Sequence, residues 1–281
     1  MNYQKILKFG SDKLKLNKID THILDSEILL SFVLKSSREQ ILTNLNKNLE
    51  KCYFEQYNKL LSRREKKEPI AYITQRKEFW KNNFQVNKDV LIPRPETELI
   101  VEEVLKNIHT TSSKSLLEIG TGSGCVIISI IKERLNCLAT AIDISKKALN
   151  IAKINAKMHH LKNKINFLNI DIDKIHHKNY DFIISNPPYI KSFDLRRLDE
   201  SIKLFEPHVA LEAGIDGLRE IRKIVIKSKK LLKRNGKLIF EIGERQVINA
   251  QKILTTNGYY INNVIKDISF IPRVIVSTKI I

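Results

Sequence analysis

From residue 114 onward, short β-branched apolar runs alternate with stretches of helical length, and this alternation restricts the architecture more than any other property of the chain. Strands are expected near 115–119, 138–142, 165–169, 180–185 and 237–242. Helices are expected near 124–134, 145–158 and 217–233, the last stopped by Asn235-Gly236. Two more strands fit 259–266 and 271–278. Alternation of this kind covers both faces of a parallel sheet with helices. It predicts an α/β fold with a doubly wound, mostly parallel, seven-stranded sheet that binds ligands at the strands' carboxyl ends. Residues 1–85 read differently. Ile23, Leu24, Ile28, Leu29, Leu30, Phe32 and Val33 recur at helical spacing behind a cap at Asp20-Thr21, and Tyr53, Tyr57, Leu60 and Leu61 continue the pattern. A small N-terminal helical domain is expected there. Phe79 to Ile92 alternates as a β-hairpin would, with Asn82-Asn83 as its turn. The expected divisions are 1–85, helical; 86–113, hairpin and linker; and 114–281, the α/β domain.

Two strand ends carry chemistry. The apolar run Tyr180-Asp181-Phe182-Ile183-Ile184 leads into Ser185-Asn186-Pro187-Pro188-Tyr189. Each proline fixes φ and lacks an N–H, so the turn exposes carbonyl oxygens with few local donors to compete for them. Asn186 adds a carbonyl acceptor and an NH₂ donor, and Tyr189 supplies a ring to cover a flat group. Such a turn suits a planar –NH₂, whose two hydrogens need two acceptors. Upstream, Ser115-Leu116-Leu117-Glu118-Ile119 runs into Gly120-Thr121-Gly122-Ser123-Gly124 and then a long apolar helix, an arrangement that brings a ligand to backbone N–H groups. Cys125 stands where a dinucleotide fingerprint would have its third glycine, and no Lys follows as in a triphosphate loop. The next strand ends at Asp143, nineteen residues beyond Gly124, placed to accept from two ribose hydroxyls.

Loop, Asp143 and Asn-Pro-Pro-Tyr in this order resemble an S-adenosylmethionine-dependent methyltransferase acting on nitrogen. More narrowly, the chain resembles the protein-(glutamine-N5) methyltransferases that modify class-1 peptide chain release factors. The resemblance includes Asp25-Ser26-Glu27-Ile28-Leu29-Leu30, Glu68-Pro69-Ile70-Ala71-Tyr72-Ile73, Glu78-Phe79-Trp80, Leu91 through Glu98, and Phe205-Glu206-Pro207 with Ala210-Leu211. It implies a class I methyltransferase-like fold, S-adenosylmethionine as methyl donor with no metal, and the glutamine of the Gly-Gly-Gln loop as substrate. Gly120, Thr121, Gly122, Ser123, Gly124, Asp143, Ile172 and Asn186 would meet the cofactor. Asn186 would be catalytic, and Asn186, Pro187, Pro188 and Tyr189 would hold the amide, the Asn186 NH₂ facing the substrate amide's carbonyl oxygen or a cofactor acceptor. Asp171 lies where the adenine is expected. Glu118 has two readings, a partner for the cofactor's amino group or a plain strand-end carboxylate. The Arg94–Thr97 segment starts a helix, Glu98–Ile108, and the resemblance implies that it also borders the site. Two positions depart from the family pattern: Ile172 where an aromatic is usual, and Gln75 where glycine is usual. The exocyclic amine of a DNA or RNA base is the alternative substrate for such a turn.

Composition narrows the partners. The formal charge of +18 rests on 49 basic residues against 31 acidic ones, with lysine far ahead of arginine and spread along the whole chain. That is read as a solvated, compositionally biased surface, with no specific nucleic-acid partner expected. No apolar stretch reaches membrane-spanning length and the start lacks a signal-peptide pattern. Cys52, Cys125 and Cys137 form no disulfide or zinc pattern. A cytoplasmic monomer is expected. His159-His160 and His176-His177 are read as surface residues and Trp80 as a packing residue.

Overall fold

The computed structural model describes residues 1–176 and 179–280. His177, one of the four paired histidines, lies outside the described residues. The chain divides into two compact units, Met1–Arg76 with Asp199–Phe205, and Lys77–Leu198 with Glu206–Ile281.

The first unit is helical: α1 (Tyr3–Leu16), α2 (His22–Leu34), α3 (Arg38–Leu42), α4 (Lys51–Glu65) and α5 (Ile70–Thr74). Ile6, Leu14, Leu29, Leu30, Ile41, Tyr57, Leu61 and Ile73 make its core. Thr21 is the residue before α2, but it does not cap by accepting a helix N–H. Its hydroxyl instead donates to Asp25 Oδ2 at 2.8 Å, and Arg64 Nε donates to the same oxygen at 2.7 Å. The buried Asp25 charge takes the hydroxyl away from the helix end. After α5, Gln75 has φ 55°, so the turn that glycine usually makes in the family is present, with glutamine in the left-handed region at a cost of about 1 kcal/mol.

In the second unit, β1 (Arg76–Phe79) pairs with β2 (Asn82–Gln85). The hairpin therefore turns at Trp80-Lys81, where Trp80 has φ 53°, and not at Asn82-Asn83 as expected. Asn82 is buried and takes a hydrogen bond from Lys132 Nζ, which holds it in the strand. The second strand also stops short of Ile92. Asn87 folds the chain back, its side-chain oxygen accepting from Asp89 N at 2.9 Å. A 3-10 turn at Pro95–Thr97 leads into α6 (Glu98–Asn107).

Then come β3 (Ser115–Ile119), α7 (Cys125–Glu133), β4 (Leu138–Ile142), α8 (Lys146–Met158), β5 (Ile165–Leu168) and β6 (Tyr180–Ser185). They are followed by α9 (Glu200–Phe205, part of the first unit), α10 (Arg219–Leu231), β7 (Leu232–Glu241), α11 (Val247–Thr256), β8 (Tyr259–Lys266) and β9 (Pro272–Lys279). The sheet has seven strands in the order β5-β4-β3-β6-β7-β9-β8. Strands β5 through β7 are parallel; β9 is antiparallel to both β7 and β8. This is the doubly wound, mostly parallel sheet expected. Helix α7 is apolar all round because it is covered all round, every residue from Cys125 to Ile131 being buried. Among the described residues no helix is long and apolar enough to cross a membrane.

Helix α10 stops earlier than expected, at Leu231, and Asn235-Gly236 lies inside β7. Leu232 already pairs with Tyr180, and the register then jumps so that Lys237 pairs with Phe182. Asn235, at φ 60°, sits in the bulge this jump creates.

One helical glycine is constrained by its neighbours. A Cβ on Gly10 would stand 1.9 Å from Tyr57 Oη and 2.8 Å from Ser26 Oγ, two buried hydroxyls bonded to each other at 2.6 Å. Alanine favours a helix by about 1 kcal/mol over glycine. Gly10→Ala should nonetheless destabilise the protein, because overpacking costs about 1–3 kcal/mol and the bonded hydroxyl pair must separate as well. Urea denaturation of the whole chain followed by circular dichroism measures this. A variant as stable as the parent would refute the close packing of α1 on α4.

Candidate active site

The carboxyl ends of β3, β4 and β6 surround a cavity of about 260 Å³. Gly120, Thr121, Gly122, Ser123, Asp143, Ile172, Asn186, Pro187 and Pro188 line it, as do Glu118 and Asp171. Gly124 and Tyr189, also expected at the site, are not among the lining residues.

The glycine loop turns sharply, with Gly120 at φ 71° and Gly122 at φ 55°. A Cβ at either would meet nothing within 4 Å, so the absent side chains leave open space beside the cavity. Gly124 has a different task. A Cβ there would lie 2.9 Å from Ile128 Cδ1 and 3.2 Å from Ala152 Cβ, so it permits the close approach of α7 and α8. Asp143 organises the loop: its carboxylate accepts from Gly122 N at 2.9 Å and from Ser145 N at 2.8 Å. The cap of α8 is Ser145, whose Oγ accepts from Ala148 N at 3.2 Å. Burial, outweighing these hydrogen bonds, raises the Asp143 carboxyl above its ordinary value.

Glu118 is buried and receives the Thr121 hydroxyl. Burial pushes its carboxyl up to about 8, and the nearby Asp143 charge adds to the rise. Asp171 accepts from Lys223 Nζ at 2.6 Å and from Asp173 N at 2.9 Å. Beside it Ile172 gives the cavity an apolar wall, 5% exposed.

At the end of β6, Asn186 Nδ2 donates to Thr97 Oγ1 at 3.0 Å. This NH₂ therefore points into the protein, and not toward a substrate or cofactor as expected, because Thr97 offers it a buried acceptor. Thr97 in turn donates to Glu241 Oε2 at 2.6 Å, and Tyr189 Oη donates to Glu241 Oε1 at 3.3 Å. Among the described residues, neither Asn186 Oδ1 nor the Pro187 carbonyl has a hydrogen-bond partner. The backbone of the turn is held by Gln246, whose Nε2 donates to the Tyr189 carbonyl at 3.1 Å and to the Gly217 carbonyl at 2.9 Å. Arg94, which also lines the cavity, donates to Glu206 at 2.6 Å, and Ile92 N reaches the same carboxylate at 3.3 Å.

Glu241, Asn155 and Gln246 were missed by reading the sequence. Asn155, fully buried, donates to the Ser123 carbonyl at 2.8 Å and to Gln85 O at 3.0 Å, and accepts from Gln85 N at 2.7 Å. It ties the glycine loop to β2. Its signal was one polar residue on the apolar stripe Ala148, Ala152, Ala156 of α8. That of Glu241 was a carboxylate ending an apolar parallel strand. Thr97 stood in the segment expected to border the site. Trp80 packs partly buried against the core, its Nε1 donating to Glu133 at 3.2 Å. His159 differs from a free surface histidine: it is half-buried, bonds the Asn83 carbonyl and leans on Phe84. Among the described residues no cluster of His, Cys, Asp and Glu is arranged to hold a metal.

Comparison with known proteins places this geometry. The PrmC N-terminal domain family matches residues 5–74 and the Methyltransferase small domain family matches residues 96–199. A release factor glutamine methyltransferase of Buchnera aphidicola is 38% identical, over 99% of this chain and 100% of its own. The chain belongs to the release factor glutamine methyltransferase family. A second member of that family, from Clostridium acetobutylicum, is 36% identical over 95% of this chain and 94% of its own. A bifunctional methyltransferase of Rickettsia felis is 36% identical over 99% of this chain, which spans only 58% of that longer protein. A solved methyltransferase structure from Pyrococcus furiosus matches with a TM-score of 0.53 at 16% identity, covering 70% of this chain and 89% of its own. That likeness concerns the fold.

Two carboxyls of the site titrate far from the ordinary 4.5, Glu118 at about 8 and Glu241, also raised by burial, at about 7. Because these values are raised on folding, the folded chain keeps protons that the unfolded chain has released. Their contribution to stability is full below the ordinary carboxyl range and is lost as pH rises through each folded value. Thermal denaturation from about pH 5 to about pH 9 should show a melting temperature that falls less steeply in Glu118→Gln than in the parent. Identical slopes would mean that Glu118 is ionised in the folded protein throughout.

Proposed function

We propose that the protein transfers a methyl group from S-adenosylmethionine to the side-chain amide nitrogen of the glutamine in the Gly-Gly-Gln loop of class-1 peptide chain release factors. The observation that carries this reading is the pair of unpartnered acceptors, Asn186 Oδ1 and the Pro187 carbonyl, on residues lining one cavity with the glycine loop. A primary amide presents two N–H donors in a plane, and two acceptors on a rigid turn match it. Relatives matched over nearly their own whole length, those of Buchnera aphidicola and Clostridium acetobutylicum, carry the release factor glutamine name, the longer ones are named bifunctional methyltransferases, and none of these names points to a nucleic-acid base.

The cavity fits the cofactor. Gly120 and Gly122 leave room for close approach, Asp143 retains lone pairs for ribose hydroxyls, and Glu118 offers a buried carboxyl to a cationic amino group. Thr121 and Ser123 complete the loop, Gly124 seats the helix behind it, and Ile172 provides the wall for an adenine. When bound, S-adenosylmethionine supplies an electrophilic methyl on a sulfonium. Asn186 and Pro187 hold the amide hydrogens, and Pro188 and Tyr189 keep the turn in place. An amide nitrogen is a poor nucleophile because its lone pair is delocalised. As positive charge builds on it, the N–H groups become stronger donors and the two acceptors bind more tightly than in the ground state. The surplus proton leaves to water. Recognition of the release factor we assign to the N-terminal helical domain, expected over residues 1–85 and helical as far as Thr74, with 86–113, expected as hairpin and linker, joining it to the transferase domain expected over 114–281. No metal takes part in this scheme, and a monomer suffices for it.

The direct test incubates the protein with radiolabelled S-adenosylmethionine and a release factor, the same factor with its loop glutamine changed to alanine, or DNA and RNA. Label should enter only the intact release factor; label in nucleic acid would replace this reading with the base-methylating one. Asn186→Ala should bind the cofactor normally and lose turnover by about 10²-fold, the usual effect of removing one preorganised transition-state contact. An Asn186→Ala enzyme with parental turnover would remove that residue from the chemistry. Asp143→Ala should weaken cofactor binding by about 1–3 kcal/mol through unpaired polar groups, with turnover at saturation largely kept. Calorimetry finding unchanged affinity would reject the ribose assignment.

A further inference from the structure

The two ends of an asparagine amide have nearly the same size and opposite chemistry. A half-turn about the last side-chain bond of Asn186 would present NH₂ to a substrate that itself brings N–H groups, and donor would face donor. Shape alone does not choose between the two orientations, because the oxygen and the NH₂ are so alike in size. The partners of the amide must set it, and here they form a chain with one direction. Above the value of about 7 to which burial raises it, Glu241 is ionised and only accepts, so there the Thr97 hydroxyl, 2.6 Å from Oε2, points its hydrogen to the carboxylate. Thr97 Oγ1 is left with lone pairs only, which fit an NH₂ and reject a carbonyl. The Asn186 Nδ2 at 3.0 Å satisfies that requirement, and Oδ1 is turned away from Thr97. Thr97 and Glu241 are each 2% exposed, so water does not compete for either bond.

We propose that Thr97 and Glu241 are positioning residues that lock the Asn186 amide in the orientation which leaves Oδ1 free to accept the substrate amide. The proposal rests on the reading of Asn186 as the group that holds the methylated amide. The second oxygen of Glu241 receives Tyr189 Oη at 3.3 Å, so one carboxylate secures both ends of the Asn-Pro-Pro-Tyr turn. A buried carboxylate is a costly way to pack a strand end, since an apolar residue of similar volume is often as good or better. Its burial raises the Glu241 carboxyl, the Thr97 and Tyr189 hydroxyls only partly oppose the rise, and the smaller effects of Glu96 and Arg273 act in opposite directions. A role in orienting the amide accounts for that cost.

The test pairs activity with a readout that does not depend on it. Thr97→Val keeps the shape and removes the hydroxyl, Thr97→Ser keeps the hydroxyl, and Glu241→Gln replaces an acceptor-only group by one with both characters. With release factor and S-adenosylmethionine, Thr97→Val should lose about 10- to 100-fold in kcat, with cofactor affinity within about twofold of the parent. Thr97→Ser should stay within about threefold, and Glu241→Gln should fall about tenfold. The double variant should be no slower than Thr97→Val alone, because both changes break one chain. Independently, NMR of asparagine-labelled protein should show one Asn186 side-chain N–H protected from exchange in the parent and Thr97→Ser but not in Thr97→Val. An unprotected Asn186 amide in the parent, full turnover in Thr97→Val, or an equal loss in Thr97→Ser would each overturn the proposal. If the protection pattern holds and the parent methylates no glutamine, it is the proposed function that fails, and the orientation lock stands. Should Thr97→Val not fold, the serine and glutamine variants still decide.

Discussion

The lateral pairing of β3 with β6 is the contact on which the site depends. Its register ends with Ile119 opposite Ser185, and the buried Ser185 hydroxyl donates to the Ile119 carbonyl at 2.9 Å. Each strand then leaves the sheet in its own way, β3 through glycines and β6 through asparagine and two prolines. Because the last paired residues lie side by side, the two departures open on the same cavity. Parallel strands also point all their carboxyl ends one way, so Asp143 after β4 lines the cavity and Glu241 ends β7 on the same side of the sheet. One loop is permissive and the other rigid, and a transfer between two bound groups requires that combination.

That arrangement was largely legible from the amino acids. The strands nearest the site were found within a residue or so because their apolar runs are short, β-branched and sharply ended. The glycine loop, Asp143 and the acceptor turn were visible because each needs unusual residue types. What escaped was local chemistry settled by distant partners. Asn82-Asn83 looks like a turn, yet Lys132 and burial hold Asn82 in a strand while Trp80 takes the positive φ. Asn235-Gly236 looks like a helix stop, yet Leu232 pairs with Tyr180 and moves the stop upstream. The Asn186 NH₂ was expected to face a bound ligand, and the acceptor that takes it instead, Thr97, stands 89 residues away.

The site is also held from behind by uncharged polar side chains. Asn155 and Gln246 each satisfy backbone groups of a functional loop with their amides, one at Ser123 and one at Tyr189. Neither touches a reactive group. Main-chain atoms in a buried loop must find partners, and an amide side chain carries both donor and acceptor for that purpose. The two buried carboxyls are placed at greater cost. Glu118 and Glu241 are almost wholly desolvated, and each keeps a hydroxyl donor as compensation.

The separations of the bonded partners along the chain have a consequence for the order in which the two halves form. The cradle closes early: Gly122 and Asp143, joined by a hydrogen bond, are 21 residues apart. The acceptor turn depends on Thr97 and Glu241, 144 residues apart, and on a β7 paired to β6. Closing the longer loop costs more chain entropy and waits for most of the sheet. A ribosome making this protein therefore releases every residue of the loop–Asp143 contact well before it releases the carboxylate that finishes the turn. The nascent chain has the means to shape one half of its site while the other half is still unwritten.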